Sequence, residues 1–159
     1  MLFDKDKQEL LRKLVYEIIK EEQLPNLDML KFQYSLKGSR HRNGYITRSL
    51  NHRTENTLFK ITVNLVKAKY VEHSKGQYID RVSKKRLVKL DIGEEIGINE
   101  IIHILCHEIA HMKYWHHNIK HKIYTNQLIG KLKNKIETGE IKTQLPIILE
   151  INNHMEVIE

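Results

Sequence analysis

The chain has 159 residues, a length that fits one ordinary domain and can bury a core without disulfide bonds. Its single cysteine excludes an intramolecular disulfide framework and any zinc ribbon built from CxxC pairs. Lysine and arginine outnumber aspartate and glutamate by 27 to 20, and the resulting net charge of +7 favours an anionic partner.

The first predicted element is an amphipathic helix over residues 4–23. Apolar residues recur there at helical spacing, acidic residues occupy the first turn, where the helix dipole favours them, and Pro25 follows the end. Residues 29–37 alternate between apolar and polar, which is typical of a half-buried strand. Residues 38–56 are polar and contain two glycines, so we expect a long loop or an irregular hairpin.

Further strands and two helices are predicted after this loop. Residues 57–67 are rich in β-branched side chains, and residues 86–92 alternate in polarity, so both favour strands. A weaker pattern over 77–82 indicates a short strand. A strong helix is expected from about residue 99 to 116, and another from about 119 to 138.

This order of one helix, several strands and then helices predicts an α+β fold with one small, mostly antiparallel sheet of three to four strands. Without repeats or a low-complexity linker, we expect a single domain over residues 1–159. An apolar run over 145–151 does not indicate one type of secondary structure. No apolar run is long enough to span a membrane and no secretory signal is visible, so we expect a soluble cytoplasmic protein without a membrane partner.

Residues 107–111 read HEIAH, an HExxH pattern within the strongest predicted helix. Histidines four residues apart lie one turn apart on the same face of a helix, so His107 and His111 can reach one metal ion. Glu108, beside them, can take a proton from a metal-activated water without being a ligand. The pattern therefore predicts a zinc site with a general base.

A catalytic zinc needs a third protein ligand and one open position. His117 follows the first histidine of the motif by ten residues, and His116 and His121 are its competitors. On a continuous helix His117 would face away from the motif, so it can bind only if the helix ends near 114–116 and the chain turns back. Geometry alone favours His117 over His121 and leaves the choice open.

The segment 101–113, followed by His117 and Asn118, resembles the SprT-like and WLM zincin metallopeptidases. It most resembles bacterial predicted metal-dependent hydrolases, which carry HELAHL and a third histidine ten residues from the first. The resemblance covers roughly residues 57–130, and its specific part is only about 30 residues long. It implies three zinc ligands and a general base: His107, His111 and His117, with Glu108.

The activity that this resemblance implies is zinc-dependent hydrolysis of peptide bonds in a protein or peptide substrate, with Glu108 acting on a zinc-activated water. It also implies that the substrate lies along an edge strand above the helix, which the resemblance places at residues 86–92. Tyr114 and Tyr124 are candidates for stabilising the oxyanion, although tyrosines this close are more often packing residues.

The chain departs from the family pattern at several positions. His121 stands where the family usually has an aromatic residue, and the cysteine zinc ribbon of many SprT-type proteins is impossible here. Metzincins share the ligand spacing but need a glycine where this chain has Tyr114. Two alternatives stay open: a gluzincin-type site with Glu137 or Glu140 as third ligand, and a non-catalytic zinc module that binds nucleic acid.

Three neighbours of the motif have ordinary structural interpretations. His103, one turn before the motif, is predicted to be a partly buried helix histidine. Cys106 is predicted to be a small buried residue, not a ligand. Trp115 ends the helix or lines the cleft.

The positive charge is concentrated in residues 31–90, which carry a net charge of +12, whereas 1–30 carry −2 and 91–159 carry −3. Its densest groups lie in the predicted loop and beside the predicted substrate strand: Arg40, Arg42, Arg48 and Arg53, then Lys84, Lys85 and Arg86. We expect this basic region to hold DNA or RNA near the cleft.

Overall fold

A computed structural model describes residues 3–36 and 43–138. Within these residues the helices are α1 (Lys5–Glu21), α2 (Ile98–Ala110) and α3 (Ile119–Thr138). The strands are β1 (Leu27–Gln33), β2 (Gly44–Asn51), β3 (Asn56–Asn64), β4 (Val66–Glu72), β5 (Tyr78–Ile79) and β6 (Arg86–Glu95). This order confirms the predicted α+β fold with an N-terminal helix. In the described part of the chain, no helix is both long and apolar enough to cross a membrane.

Helix α1 forms where the sequence predicts it. Asp4 caps its first turn by accepting a hydrogen bond from the backbone N–H of Lys7 at 3.0 Å, and this bond lowers the pKa of the Asp4 carboxyl. The chain leaves the helix through Gln23, whose φ is 53°. One stripe of apolar side chains is buried: Leu11, Leu14, Val15, Ile18 and Ile19.

The first sheet has the strand order β1-β3-β2, with β1 parallel and β2 antiparallel to β3. Of the two alternatives predicted for residues 38–56, the hairpin is confirmed where the chain is described, because residues 44–51 form β2 and pair across a hairpin with β3. Most side chains of β2 are exposed because it is an edge strand, so its sequence lacks the burial pattern on which the prediction depends. Residues 37–42 lie outside the described part.

A second sheet, with the order β4-β6-β5, is antiparallel throughout. The prediction of one sheet is thus corrected to two three-stranded sheets. Among the side chains whose burial is described, no buried apolar residue lies between Leu65 and Ile96, so these side chains of the second sheet add none to the core. This sheet is called the second sheet below.

The core lies between α2, the first sheet and the other two helices. Ile101, Ile102 and Leu105 of α2 are completely buried. Helices α1 and α3 are joined by Glu22, which accepts a hydrogen bond from the Tyr124 hydroxyl at 2.9 Å and an ion pair from Lys131 at 3.1 Å. These contacts join α1 to α3, and α3 in turn packs against α2, which carries the HExxH motif.

Candidate metal centre

The HExxH motif occupies the last turn of α2, which ends at Ala110, so the predicted extension of this helix to residue 116 is wrong. His111 is the C-cap, and the chain then turns through 112–117. Asn118 begins α3 by accepting a hydrogen bond from the backbone N–H of His121 at 3.0 Å. Because α2 ends early, the chain can turn back toward the motif, as a third ligand at residue 117 requires.

Three histidine nitrogens converge at this turn. The Nε2 atom of His117 lies 3.1 Å from Nε2 of His107 and 3.0 Å from Nε2 of His111. Ligand atoms of His107, His111 and His121 also all lie within 4.8 Å of one another, so a fourth ring belongs to the cluster. The histidines thus form a group that could hold a metal ion.

The backbone around Trp115 determines the tautomer of His111. The Nδ1 atom of His111 lies 2.8 Å from the carbonyl oxygen of Trp115 and 3.2 Å from that of Tyr114. A carbonyl oxygen can only accept a hydrogen bond, so Nδ1 carries the proton and Nε2 keeps its lone pair. Metal-binding histidines in proteins are commonly oriented by such a bond from the other ring nitrogen.

His121 is differently placed. Its Nε2 lies 2.9 Å from the carbonyl oxygen of His107, so Nε2 carries the proton and only Nδ1 could bind a metal. The ring is 3% exposed and stacks on His111 with a centroid separation of 4.0 Å. It therefore supports the ring of His111 and the backbone of His107.

The other candidates for the third ligand do not join this cluster. His116 is exposed, and among the described residues its ring makes no contact with the other histidines. Glu137 is in the last turn of α3, about 24 Å along the helix axis from His121. The alternative of Glu137 as a ligand is therefore wrong, and Glu140 lies outside the described residues.

The distances from Nε2 of His117 to the Nε2 atoms of His107 and His111 suit a cation bound between these rings. Because Nε2 of His111 has a lone pair, His117 can satisfy it only by donating its single Nε2–H, and the contact with Nε2 of His107 then has no proper hydrogen bond unless a cation lies between the rings. Nitrogens bound tetrahedrally to zinc at 2.0–2.1 Å are about 3.3 Å apart, close to the separations seen here. Imidazole nitrogens also suit copper, iron and nickel, so the donor set indicates a metal site without selecting one metal.

The protonation of two of these rings favours metal binding. Burial lowers the pKa of His107 to about 4, with added repulsion from the neighbouring histidines. Burial and the same repulsion lower the pKa of His111, against the opposing effect of its hydrogen bonds to backbone carbonyls. Both rings are consequently neutral at pH 7, the form in which histidine binds metals.

A cleft of about 500 Å³ opens in front of the histidines. Its walls are the start of β2, one face of α2 and the turn after it: Asn43, Gly44, Tyr45, Ile46, His103, Ile104, His107, Glu108, His111, Trp115 and His117. Glu108, the predicted general base, is 7% exposed and faces this cleft. The site therefore combines a possible metal centre with a carboxylate.

The strand beside the cleft is β2, not the predicted substrate strand at residues 86–92. That segment belongs to β6, the middle strand of the second sheet, and lines neither cleft at the histidines. Strand β2 is at the free edge of the first sheet. Gly44 allows it to approach α2, because a Cβ there would lie 2.5 Å from Cγ2 of Ile104.

A second cleft of about 430 Å³ lies on the α3 side of the cluster. Its lining includes His103, His107 and His117, which it shares with the first cleft, and Lys122 and Asn126 of α3. His103 is exposed, so the expectation of partial burial is wrong. The two clefts together leave the histidine cluster accessible from two sides.

The predicted oxyanion candidates are packing residues. Tyr124 is buried and donates its hydroxyl to Glu22, and Tyr114 packs against it with ring centroids 5.8 Å apart. Neither lines a cleft at the histidines. Cys106 is buried as predicted, and burial raises the pKa of its thiol to about 12.

The basic residues expected to bind nucleic acid lie on different parts of the molecule. Arg48 is on β2 with its guanidinium carbon 3.9 Å from the centroid of the Trp115 ring, and Arg53 is in the turn after β2. Three more are at the start of β6 and the turn before it: Lys84, Lys85 and Arg86. Lys85 pairs with Glu72 at 3.5 Å. Arg40 and Arg42 lie outside the described residues, and nucleic-acid binding stays a prediction.

Gly44 and Ile46 are site residues that the sequence did not single out, whereas Trp115 lines the cleft, which was one of the two roles expected for it. Gly44, an isolated glycine among strand-like residues, could have indicated that the backbone approaches a neighbouring element closely there. Comparison with protein-family models, curated proteins and solved structures gave no match. The resemblance to SprT-like and WLM zincins thus depends on the motif and the third histidine.

Proposed function

We propose that this protein is a zinc-dependent metallopeptidase. The observation that carries the proposal is the convergence of the Nε2 atoms of His107, His111 and His117 beside Glu108. Three imidazole nitrogens with a neighbouring carboxylate make up the donor set of a catalytic zinc site that keeps one open position. We assign the third ligand to His117, because the Nε2 of His121 already donates to a backbone carbonyl.

A zinc ion held by these three histidines would polarise the substrate carbonyl and make a water acidic enough to react near neutral pH. Glu108 accepts the proton of the attacking water and delivers it to the amine that leaves. Its burial beside the histidines limits competition from bulk water. The peptide bond is then hydrolysed without a covalent intermediate on the protein.

Strand β2 is the binding edge for the substrate in this proposal. Its outer edge is not paired within the described sheet, and residues 43–46 form a wall of the cleft. An extended peptide can pair its backbone with such an edge and so place one peptide bond beside the histidines. Backbone pairing requires no particular side chain, so a protein or peptide substrate is expected.

The test combines metal analysis with a matched pair of variants. The purified protein should contain about one zinc per chain, and Glu108→Gln should keep this zinc while losing cleavage of a denatured protein substrate by at least about a hundredfold. Glu100→Gln, on the exposed first turn of the same helix, should leave cleavage unchanged. Absence of stoichiometric metal, or full activity of Glu108→Gln, would contradict the proposal.

The alternative that keeps the same metal site is a non-catalytic zinc module. It requires the fourth position to be closed, for example by Nδ1 of His121, the only ring nitrogen of that residue left for a metal. The Co²⁺-substituted protein distinguishes the two cases, because an open position lets an added anion such as azide change its visible spectrum. An unchanged spectrum, with no cleavage, would favour the non-catalytic module.

The second candidate function is nucleic-acid binding through the second sheet. Residues 66–90 carry eight basic and two acidic side chains, and this sheet adds no apolar side chain to the described core. Binding to DNA or RNA should weaken steeply with salt and should persist after the metal is removed. Charge reversal at Lys84, Lys85 and Arg86 should abolish it; unchanged affinity would refute this function.

A further inference from the structure

Two residues of the first sheet contact the ring of Trp115. The guanidinium carbon of Arg48, on β2, lies 3.9 Å from the centroid of the indole ring. The ring of Phe59, a buried residue of β3, is 6.3 Å away at a tilt of 51°. An arginine stacked on tryptophan at this distance is an attractive cation–π contact, and tryptophan is the strongest partner for it.

The backbone of the same tryptophan supports the histidine cluster. Its carbonyl oxygen accepts the Nδ1–H of His111 at 2.8 Å. It also lies two residues before His117, in the turn that brings that ring to the other two. The position of Trp115 therefore affects both the orientation of one ring and the path of the chain to another.

We propose that Arg48 is a positioning residue of the metal centre. By holding the indole of Trp115 on the sheet, it keeps the Trp115 carbonyl where it orients His111 and directs the turn toward His117. This inference rests on the metal site proposed above and extends it to a side chain that binds no metal.

The location of Arg48 adds a second consequence. The residue is on the strand whose first residues, 44–46, line the cleft, and only one residue separates Ile46 from it. The contact between Arg48 and Trp115 thus joins the cleft-lining strand to the turn that carries the histidines. The alignment of strand and metal centre depends on this contact in addition to the packing of α2.

Zinc affinity, measured by competition with a chromophoric chelator, tests the inference without any activity assay. Arg48→Ala should bind Zn²⁺ about tenfold more weakly than the wild type, and Arg48→Lys, which keeps a cation, should stay within about threefold. Trp115→Ala should show a similar loss. The double variant should bind about as tightly as Trp115→Ala alone, because both changes remove the same contact.

Arg53→Ala is the matched control, since it removes the same charge from the same hairpin and should bind Zn²⁺ as the wild type does. The Co²⁺ spectrum supplies a readout that a general loss of stability would not move: Arg48→Ala should alter its visible bands, whereas Arg53→Ala should not. Thermal unfolding without metal verifies that each variant is folded.

Wild-type Zn²⁺ affinity and an unaltered Co²⁺ spectrum in Arg48→Ala would overturn the inference while leaving the proposed function intact. Equal weakening by Arg53→Ala would overturn it as well, because the effect would then be one of net charge. A wild-type protein that does not bind Zn²⁺ would instead overturn the metal site, and this inference with it.

Discussion

The Nε2 atoms of His111 and His117 lie 3.0 Å apart, although α2 ends at the residue before His111. The turn between them closes this distance, and it is fixed at its far end by the side chain of Asn118, which caps α3. The site therefore depends on where one helix ends and the next begins as much as on the HExxH motif itself.

Substitution of the histidines should distinguish a metal ligand from a histidine that only supports the ligands. His117→Ala should lower Zn²⁺ affinity by at least about a hundredfold, because a direct ligand is lost. His121→Ala should lower it by about tenfold, because it removes only the support under His111 and the bond to the His107 carbonyl. Chelator competition measures both, with exposed His116→Ala as control. A larger loss for His121→Ala than for His117→Ala would show that the third ligand is misassigned.

Gly44 should be intolerant of a side chain. The added Cβ of Gly44→Ala would lie 2.5 Å from Cγ2 of Ile104, a β-branched residue with little rotamer freedom in a helix. We expect the free energy of unfolding to fall by about 1–3 kcal/mol. Urea denaturation measures this change, and Gly130→Ala, in α3 with open space at its Cβ, should raise stability by about 0.5–1 kcal/mol. Equal effects of the two substitutions would contradict the close approach of β2 to α2.

The metal-free protein should lose stability in mild acid. The pKa of His107 is lowered to about 4 in the folded chain, from an ordinary value of 6.5. Between these values the unfolded chain binds more protons than the folded one, so the free energy of unfolding falls as the pH drops from about 6.5 toward 4. Urea titrations across this range, with a chelator present, measure the slope.

His107→Gln is the informative variant for this pH dependence, because it removes the group while keeping a polar side chain. Its stability should depend less on pH over the same range than that of the wild type, whereas exposed His116→Ala should keep the wild-type slope. An identical slope in His107→Gln and the wild type would contradict the buried, neutral state of this ring.

Tyr124→Phe should affect the scaffold and leave the site unchanged. The tyrosine hydroxyl donates to the Glu22 carboxylate at 2.9 Å, and hydrogen bonds to charged groups contribute about 1.5–3 kcal/mol. Since Lys131 still pairs with Glu22, we expect a loss near the lower end of that range, measured by urea denaturation. Zn²⁺ affinity and peptide cleavage should be those of the wild type; a selective loss of cleavage would instead assign the hydroxyl to oxyanion stabilisation.

The elements with strong internal periodicity could be predicted from sequence. Helices α1 and α3 follow from apolar residues at helical spacing, and β3 follows from its β-branched residues. For β2 the sequence left a loop and a hairpin open, because an exposed edge strand needs no alternation of apolar and polar residues. The end of α2 at Ala110 was missed, because the residues after it are compatible with a helix and the turn is stabilised by tertiary contacts.

The candidate site also has a part that could be predicted from sequence and a part that could not. His107, Glu108 and His111 are one local pattern on a helix, so their proximity follows from helix geometry. The support of His111 by the Trp115 carbonyl and of the cluster by His121 arises from a turn and from a second helix. Contacts of this kind depend on how distant segments pack, and no periodicity in the sequence encodes them.

The 30 residues from Val66 to Glu95 leave and rejoin the core at one point, where the backbone N–H of Ile96 donates to the carbonyl of Leu65 at 2.9 Å. The side chains of Leu65 and Ile96 are both buried, so the core is continuous across this hydrogen bond without the segment between them. In structural terms, the segment resembles an insertion between two neighbouring core residues. Because this segment lines neither cleft at the histidines, we expect changes within it to alter the outer surface of the molecule and to leave the histidine cluster in place.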